Sequence, residues 1–342
     1  MSADTTLVEK FEGCLVGALL GDCLGAPFET DFTGSNFPNQ QNFFQNLLQH
    51  TVVPGPSAGR NFHPSKVHPG RGEYHYTDDT AMTLCLAKSL LAKRRFDALD
   101  VAKRFTTEYF ENEALDPYKP AQEQFGGRGS YGNGASMRVA PVALFYMDDL
   151  EKMIEVARNQ AKITHSNQTG YNAAILQCMA VFLALKSDPK APLDPVAFID
   201  HLIAFMDKLE EAIDGFNHGQ TSHIKLHQNA FHHESWRPPS SATAYVLRMK
   251  GERVYVADVC SQLVSFFFFF SFRRPLIFNP FVRCLYFAVV CGGDADTLAS
   301  MACSISGARH GVSAIPGVLQ RQCQAIDEVT RIADCLEEAL AK

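Results

Sequence analysis

Three glycines, Gly13, Gly17 and Gly21, recur at every fourth position of the apolar stretch Thr6–Gly21, with Leu15, Leu19 and Leu20 between them. Residues four apart share one face of a helix, so the spacing predicts a helix over Thr6–Gly21 with one face stripped to bare backbone. Each glycine costs a helix about 1 kcal/mol against alanine. Three on one face are sustained only if a neighbouring backbone packs closely against them. A membrane-embedded version of this small-residue stripe is disfavoured, because the apolar run is short and bounded by Glu12 and Asp22. Beyond the helix, Gly25 and Pro27 break the pattern and leave Glu29 on a loop.

The rest of the chain also reads as helix. Ala81, Leu84, Cys85, Ala87, Leu90 and Leu91 form a core-facing stripe that ends in the basic turn Lys93-Arg94-Arg95. Asp100–Phe110, Leu150–Ile163, Tyr171–Leu185, Asp194–Ala212 and Leu319–Leu340 carry the same 3.6-residue period, and no convincing period-2 strand occurs. The expected fold is all-α, a single bundle-like domain over residues 6–342. Residues 30–76, rich in Asn, Gln, Pro, Gly and His, are too long for an ordinary connection and read as a flap with a short helix at Gln45–Leu48. His63, His68 and His75 lie there without cysteine partners or regular spacing, which argues against zinc.

Composition narrows the function classes. The chain has 342 residues, is 46% hydrophobic and 20% charged, and carries a net charge of -6 with no Lys/Arg cluster. Nucleic-acid binding through phosphates is therefore not expected. Ten scattered cysteines with no CxxC read as reduced intracellular thiols rather than a disulfide framework. The acidic Met1–Glu12 lacks the features of a secretory signal or a transit peptide.

Chemistry concentrates in four places. Cys291-Gly292-Gly293-Asp294-Ala295-Asp296-Thr297-Leu298-Ala299 sets two carboxylates and a hydroxyl at the entrance of an apolar helix, and Tyr76-Thr77-Asp78-Asp79-Thr80-Ala81-Met82 repeats the device. Acids this close repel unless a cation or a set of donors holds them, so the two clusters are expected to converge on one hard-metal site. Phe125-Gly126-Gly127-Arg128-Gly129-Ser130-Tyr131-Gly132-Asn133-Gly134 frees its backbone to curl N–H groups toward an anion, with Ser130, Tyr131, Asn133 and Arg138 as further donors for a diphosphate. Gly127, Gly129 and Gly132 spell GxGxxG, but the polar stretch before them is no buried strand, which excludes a dinucleotide fold. Thr164-His165 closes a helix, where a histidine is more often a cap than a ligand. The histidines from His218 to His233 read as an exposed, adventitious cluster.

Together these motifs resemble the ADP-ribosylglycohydrolases. Gly17-Ala18-Leu19-Leu20-Gly21-Asp22, Thr77-Asp78-Asp79-Thr80, Gly129-Ser130-Tyr131-Gly132-Asn133-Gly134 through Met137-Arg138, Thr164-His165 and Gly292-Gly293-Asp294-Ala295-Asp296-Thr297 occur in the family's order, over roughly Phe11–Pro316. Within the family the match leans to the branch that releases ADP-ribose from serine. The resemblance implies an all-α domain with two Mg²⁺ ions (Mn²⁺ is an admissible substitute) in a central cleft. It implies Thr77, Asp78, Asp79, Asp294, Asp296 and Thr297 as metal ligands, with Glu29 the acid on a loop that closes over them. Gly129, Ser130, Tyr131, Gly132 and Asn133 would hold the diphosphate, His165 would lie near the distal ribose, and Phe125 would stack near the adenine. Glu29 or Asp294 would act as the proton-transferring base for hydrolysis through an oxocarbenium-like state.

The implied substrates are ADP-ribosylated proteins, poly(ADP-ribose) and O-acetyl-ADP-ribose. The alternatives are an arginine-linked ADP-ribosylhydrolase and a non-catalytic, crystallin-like or ADP-ribose-binding relative. The chain is expected to be a monomer of the nucleus and cytoplasm, or of the mitochondrial matrix, without membrane or direct nucleic-acid partners. Residues 264–277 depart from the family: Phe266-Phe267-Phe268-Phe269-Phe270 is β-prone, uncharged and too short to span a bilayer before Arg273. The segment reads as noncoding sequence translated in place of an exon that would wall the adenine side.

Overall fold

A computed structural model describes residues 5–29, 74–109, 118–214, 279–290 and 293–340. Among them the architecture is helical throughout, as the periodicity requires. In chain order the helices are α1 (Leu7–Gly25), α2 (Asp78–Lys93), α3 (Ala98–Tyr109), α4 (Lys119–Gly127), α5 (Gly134–Met137), α6 (Ala140–Phe145) and α7 (Leu150–Lys162). There follow α8 (Gln168–Lys186), α9 (Pro195–Asp214), α10 (Pro280–Val290), α11 (Ala295–His310), α12 (Gly317–Gln320) and α13 (Ile326–Leu340). The flap with Gln45–Leu48, His63 and His68, the histidines from His218 to His233, and the phenylalanine run of 264–277 lie outside the described residues.

Helix α1 starts in a reciprocal cap: Glu9 N donates to Thr6 Oγ1 at 3.2 Å and Thr6 N donates to Glu9 Oε2 at 2.8 Å. It runs one turn further than the sequence predicts, to Gly25, and ends in a 3-10 turn at Ala26–Phe28 that delivers Glu29 to the surface. Phe11, Cys14, Val16, Leu19, Leu20 and Leu24 are fully buried, so the helix is enclosed on every side. By length and composition both Leu7–Phe28 and Gln168–Lys186 could cross a membrane, which corrects the expectation that α1 is too short. Burial within the protein makes them core helices instead.

The glycine face packs on α11, which runs antiparallel. A Cβ added at Gly13, Gly17, Gly21 or Gly25 would collide with the backbone of Gly307, Cys303, Ala299 or Ala295 respectively; at Gly25 it would sit 2.6 Å from the Ala295 carbonyl oxygen. Both partners therefore carry small residues at four-residue spacing, and only glycine on α1 permits this approach. The same register sets Asp22, one residue after Gly21, beside Asp296 in the first turn of α11.

The terminal stretch is two helices, not the continuous one its periodicity predicts. Between α12 and α13 the backbone pairs with Tyr74, whose N–H donates to Gln322 O at 2.8 Å and whose carbonyl accepts from Gln324 N at 2.9 Å. Ala325 takes a left-handed φ of 65° to resume the helix. A long-range backbone ladder here outcompetes local helix bonding, and it anchors the chain immediately before Thr77.

Candidate metal centre and active site

Three helix ends meet at one point: the C-terminus of α1 and the N-termini of α2 and α11. A left-handed step at Gly293 (φ 75°) turns the chain into Asp294, the N-cap of α11, and Asp296 follows in its first turn. Asp78 and Asp79 occupy the first turn of α2 behind Thr77. The partial positive charge of a helix N-terminus favours acids at both places.

Carboxylate oxygens of Asp22, Asp79 and Asp296 lie within 4.8 Å of one another, and so do those of Glu29, Asp294 and Asp296. Asp296 belongs to both groups, so the acids form one continuous cluster. Asp22, Asp79 and Asp296 are buried, while Glu29 is exposed at the rim. Thr297 Oγ1 donates to Asp79 Oδ2 at 3.1 Å, and Thr77 Oγ1 stands 3.5 Å from the same oxygen. Thr297 N donates to Asp296 Oδ1 at 2.9 Å. Asp78 is exposed and belongs to neither group, although its charge acts on Asp79.

Asp22 has a different task. It accepts from Thr77 N at 3.0 Å, Thr77 Oγ1 at 2.8 Å, Thr80 N at 3.0 Å and Thr80 Oγ1 at 2.6 Å. Thr77 forms no side-chain cap of its own. Asp22 thus caps α2 from a neighbouring helix and fixes the turn that carries Asp78 and Asp79. Sequence reasoning did not single it out as a site residue; the available signal was a carboxylate one position beyond the last glycine of the close-packed seam.

The electrostatics are those of a site built for a cation. Among the described residues no Lys or Arg pairs with any of these acids, and Oδ1 of Asp79 is buried without a hydrogen-bond partner. Burial, and then repulsion from Asp22 and Asp296, push Asp79 well above the usual carboxylate range. Burial, and then the hydrogen bond to Asp294 and its charge, push Asp296 up to about 8. Burial raises Asp22 to about 6 against the pull of its threonine donors. An oxygen-only donor set without an ion-paired Lys or Arg among the described residues suits a hard divalent ion.

The glycine loop flanks the acids. Helix α4 kinks at Gln124–Gly126, where Phe125 takes φ 52°, and Gly129 follows at φ 71°. A Cβ at Gly129 would meet Asn167 N at 2.6 Å, and one at Gly170 would meet Ser130 O at 2.8 Å. The loop is therefore clamped onto the 166–170 turn, where Asn167 Nδ2 also donates to Arg128 O at 3.0 Å. Asn133 Nδ2 donates to Asp294 Oδ2 at 2.6 Å and ties the loop to the acid cluster.

Three sequence expectations need correction here. The N–H groups of Gly129 and Gly132 donate to Gln124 O at 3.1 Å and Ser130 Oγ at 3.2 Å, so the loop's N–H groups are not all open as its composition suggests. Arg138 is fully buried and cannot reach a diphosphate in the loop. Phe125 and Tyr131 are both exposed, with ring centroids 6.4 Å apart. His165 does not cap a carbonyl with its ring; its Nδ1 lies 2.7 Å from Thr164 Oγ1, and its other edge faces Gly132 and Gly134.

With this geometry in view, the chain matches the model of the ADP-ribosylglycohydrolase family over residues 3–342. It is 33% identical to the mouse protein "ADP-ribosylhydrolase ARH3" over 370 aligned residues, covering 96% of this chain and 91% of that one. Against the human protein of the same name it is 32% identical, covering 98% and 94%. Among solved structures, an "ADP-ribosylglycohydrolase-related protein complex" superposes with a TM-score of 0.62 at 24% identity, over 97% of this chain and 98% of that one, a likeness of fold.

Proposed function

The chain belongs to the ADP-ribosylglycohydrolase family, a family of glycosyl hydrolases, and from that premise we propose that it is a divalent-metal-dependent enzyme releasing ADP-ribose from serine. Poly(ADP-ribose) and O-acetyl-ADP-ribose are further substrates in this reading, and residues 6–342 act as one monomeric domain. The observation that carries it is the pair of acidic groups sharing Asp296, with Asp79 Oδ1 buried and unpaired. Thr77, Asp78, Asp79, Asp294, Asp296, Thr297 and Glu29 would hold two Mg²⁺ ions, while Asp22 fixes the α2 end of the set. The ions would supply charge neutralisation and polarise the ribose oxygens and a water beside the anomeric carbon.

The remaining work falls to side chains. Glu29, exposed at the rim and within reach of Asp294 and Asp296, transfers the proton between water and the leaving serine hydroxyl. The glycine loop and Asn133 orient the diphosphate, and Phe125 with Tyr131 receives the adenine on its face. Carboxylates beside the reacting carbon stabilise an oxocarbenium-like state. Incubation with serine- and arginine-ADP-ribosylated peptides, with and without Mg²⁺, tests the reading. Release from serine only with metal is expected; release from arginine, or from neither, overturns it.

Glu29→Ala separates chemistry from binding. ADP-ribose affinity is expected within about twofold of wild type while hydrolysis drops at least ~100-fold. Wild-type release rates would remove Glu29 from the mechanism.

Metal and pH are linked through the raised carboxylates. In the metal-free chain Asp22 and Asp296 keep protons to about 6 and about 8, whereas unfolded aspartates lose theirs near 3.8. The folded state binds more protons across this window, so its stability falls as pH rises from about 4 to about 8. The metal-free Tm at about pH 8.5 is expected ~5 °C below that at about pH 6, and saturating Mg²⁺ narrows the gap. Calorimetric scans at both pH values check this, and a gap unaffected by Mg²⁺ would place the ion elsewhere.

A further inference from the structure

We infer that Arg138 and Thr164 are positioning residues that fix His165 as the neutral tautomer with its proton on Nε2, so that it presents one permanent donor to the Gly132–Gly134 side of the glycine loop. Arg138 is fully buried, and among the described residues no carboxylate reaches it at ion-pair distance, although the charge of Asp78 acts on it. Its donors are spent inside the protein: Nε on Gln160 Oε1 at 2.9 Å, and Nη2 on Gln160 O at 3.0 Å and Thr164 Oγ1 at 2.7 Å. Nη1 lies 3.7 Å from Met82 Sδ, and the guanidinium stacks 4.7 Å from the Phe105 ring centre. Gln160 is held in turn, its Nε2 donating to Ala135 O at 3.0 Å. Five groups, from three helices and the turn that follows α7, therefore lock one cation in place.

The direction of the next bond follows from counting protons. A guanidinium only donates, so Thr164 Oγ1 accepts from it. The hydroxyl then has a single hydrogen to give, and His165 Nδ1 at 2.7 Å is its one acceptor within reach among the described residues. Nδ1 is thereby an acceptor and bare, which leaves the ring hydrogen on Nε2. The opposite arrangement, with Nδ1–H donating, would strand the hydroxyl hydrogen of Thr164 beside a cation. Burial and the charge of Arg138 also push the imidazole down to about 3, which favours the neutral ring between about pH 5 and pH 8.

The glycines explain where that donor points. A Cβ at Gly132 or Gly134 would stand 3.4 Å or 3.3 Å from Nε2. Any side chain there would cover this edge, and the two bare positions leave it facing the loop. An uncharged donor of constant tautomer suits an acceptor oxygen of a sugar or phosphate, and it does not change charge between about pH 5 and pH 8. This deepens the proposed function and rests on it only for the identity of the ligand.

Full-length protein with ¹⁵N-labelled histidine tests the assignment by long-range ¹H–¹⁵N correlation, with His165→Gln identifying the signals among the 12 histidines. Wild type is expected to show protonated Nε2 and bare Nδ1, unchanged from about pH 5.5 to about pH 8. Thr164→Ser keeps that signature. Thr164→Val, of nearly equal shape, loses it, mixes the tautomers and weakens free ADP-ribose binding about tenfold by calorimetry. A wild-type ring protonated on Nδ1, or a Thr164→Val spectrum identical to wild type, overturns the inference. Absence of serine hydrolase activity with the tautomer intact would instead sink only the functional reading.

Discussion

Asp296→Asn is expected to lower turnover of a serine-ADP-ribosylated peptide at least ~1000-fold at saturating Mg²⁺, because under the proposed function it would remove a ligand shared by two ions. Asp296 is the only residue common to both acidic groups, and it is buried in the first turn of α11. The substitution keeps shape and the Thr297 N–H bond to the retained oxygen while deleting one negative charge. Above about pH 8, where metal-free Asp296 carries its charge, the variant should be no less stable than wild type, since that charge repels Asp79 and is opposed by burial and Asp294. Loss of activity with a stable fold therefore separates a metal defect from unfolding. Titration of Mg²⁺ against protein fluorescence or heat should show the affinity weakened alongside turnover. Normal turnover and normal Mg²⁺ affinity together would refute the shared-metal reading of this cluster.

What the sequence disclosed and what it hid follow one physical rule. Asp294, Asp296 and Asp79 were legible because two acids at a helix entrance are locally unfavourable and demand a partner, whereas Asp78, placed with them by the same reasoning, stands exposed outside both acidic groups. The glycine stripe was legible for the same reason: Gly13, Gly17 and Gly21 are poor helix residues unless something approaches closely. Asp22 was illegible as a cap because its partners, Thr77 and Thr80, arrive through tertiary register. The break between α12 and α13 was hidden likewise, since Tyr74 pairs with Gln322 and Gln324 from a distant part of the chain. Composition made the 125–134 loop look like open N–H groups; clamping onto the 166–170 turn spends two of them internally. Arg138 reads as a surface donor beside glycines, and only packing shows it buried beneath His165.

Gly21→Ala is expected to destabilise the protein by about 3 kcal/mol, lowering Tm by ~4 °C, and Gly21→Val to leave little folded protein. The sign is the informative part. At an ordinary helix position replacing glycine by alanine stabilises by about 1 kcal/mol, since less backbone entropy is lost on folding. At Gly21 the new Cβ would fall on the carbonyl of Ala299, a backbone group that cannot swing aside as a flexible side chain would. The helices must separate, and the neighbouring contacts of Gly17 with Cys303 and Gly25 with Ala295 open with them. A total stability of roughly 5–15 kcal/mol tolerates one such displacement but not the branched side chain of valine. Because the same seam aligns Asp22 with Asp296, separation also loosens the turn carrying Asp79, so Gly21→Ala should lose part of the Mg²⁺-induced rise in Tm. Denaturant unfolding with and without Mg²⁺ measures both effects. A Gly21→Ala variant as stable as wild type would mean that α1 and α11 can part freely, and the acids could not then be held in register by the glycine seam.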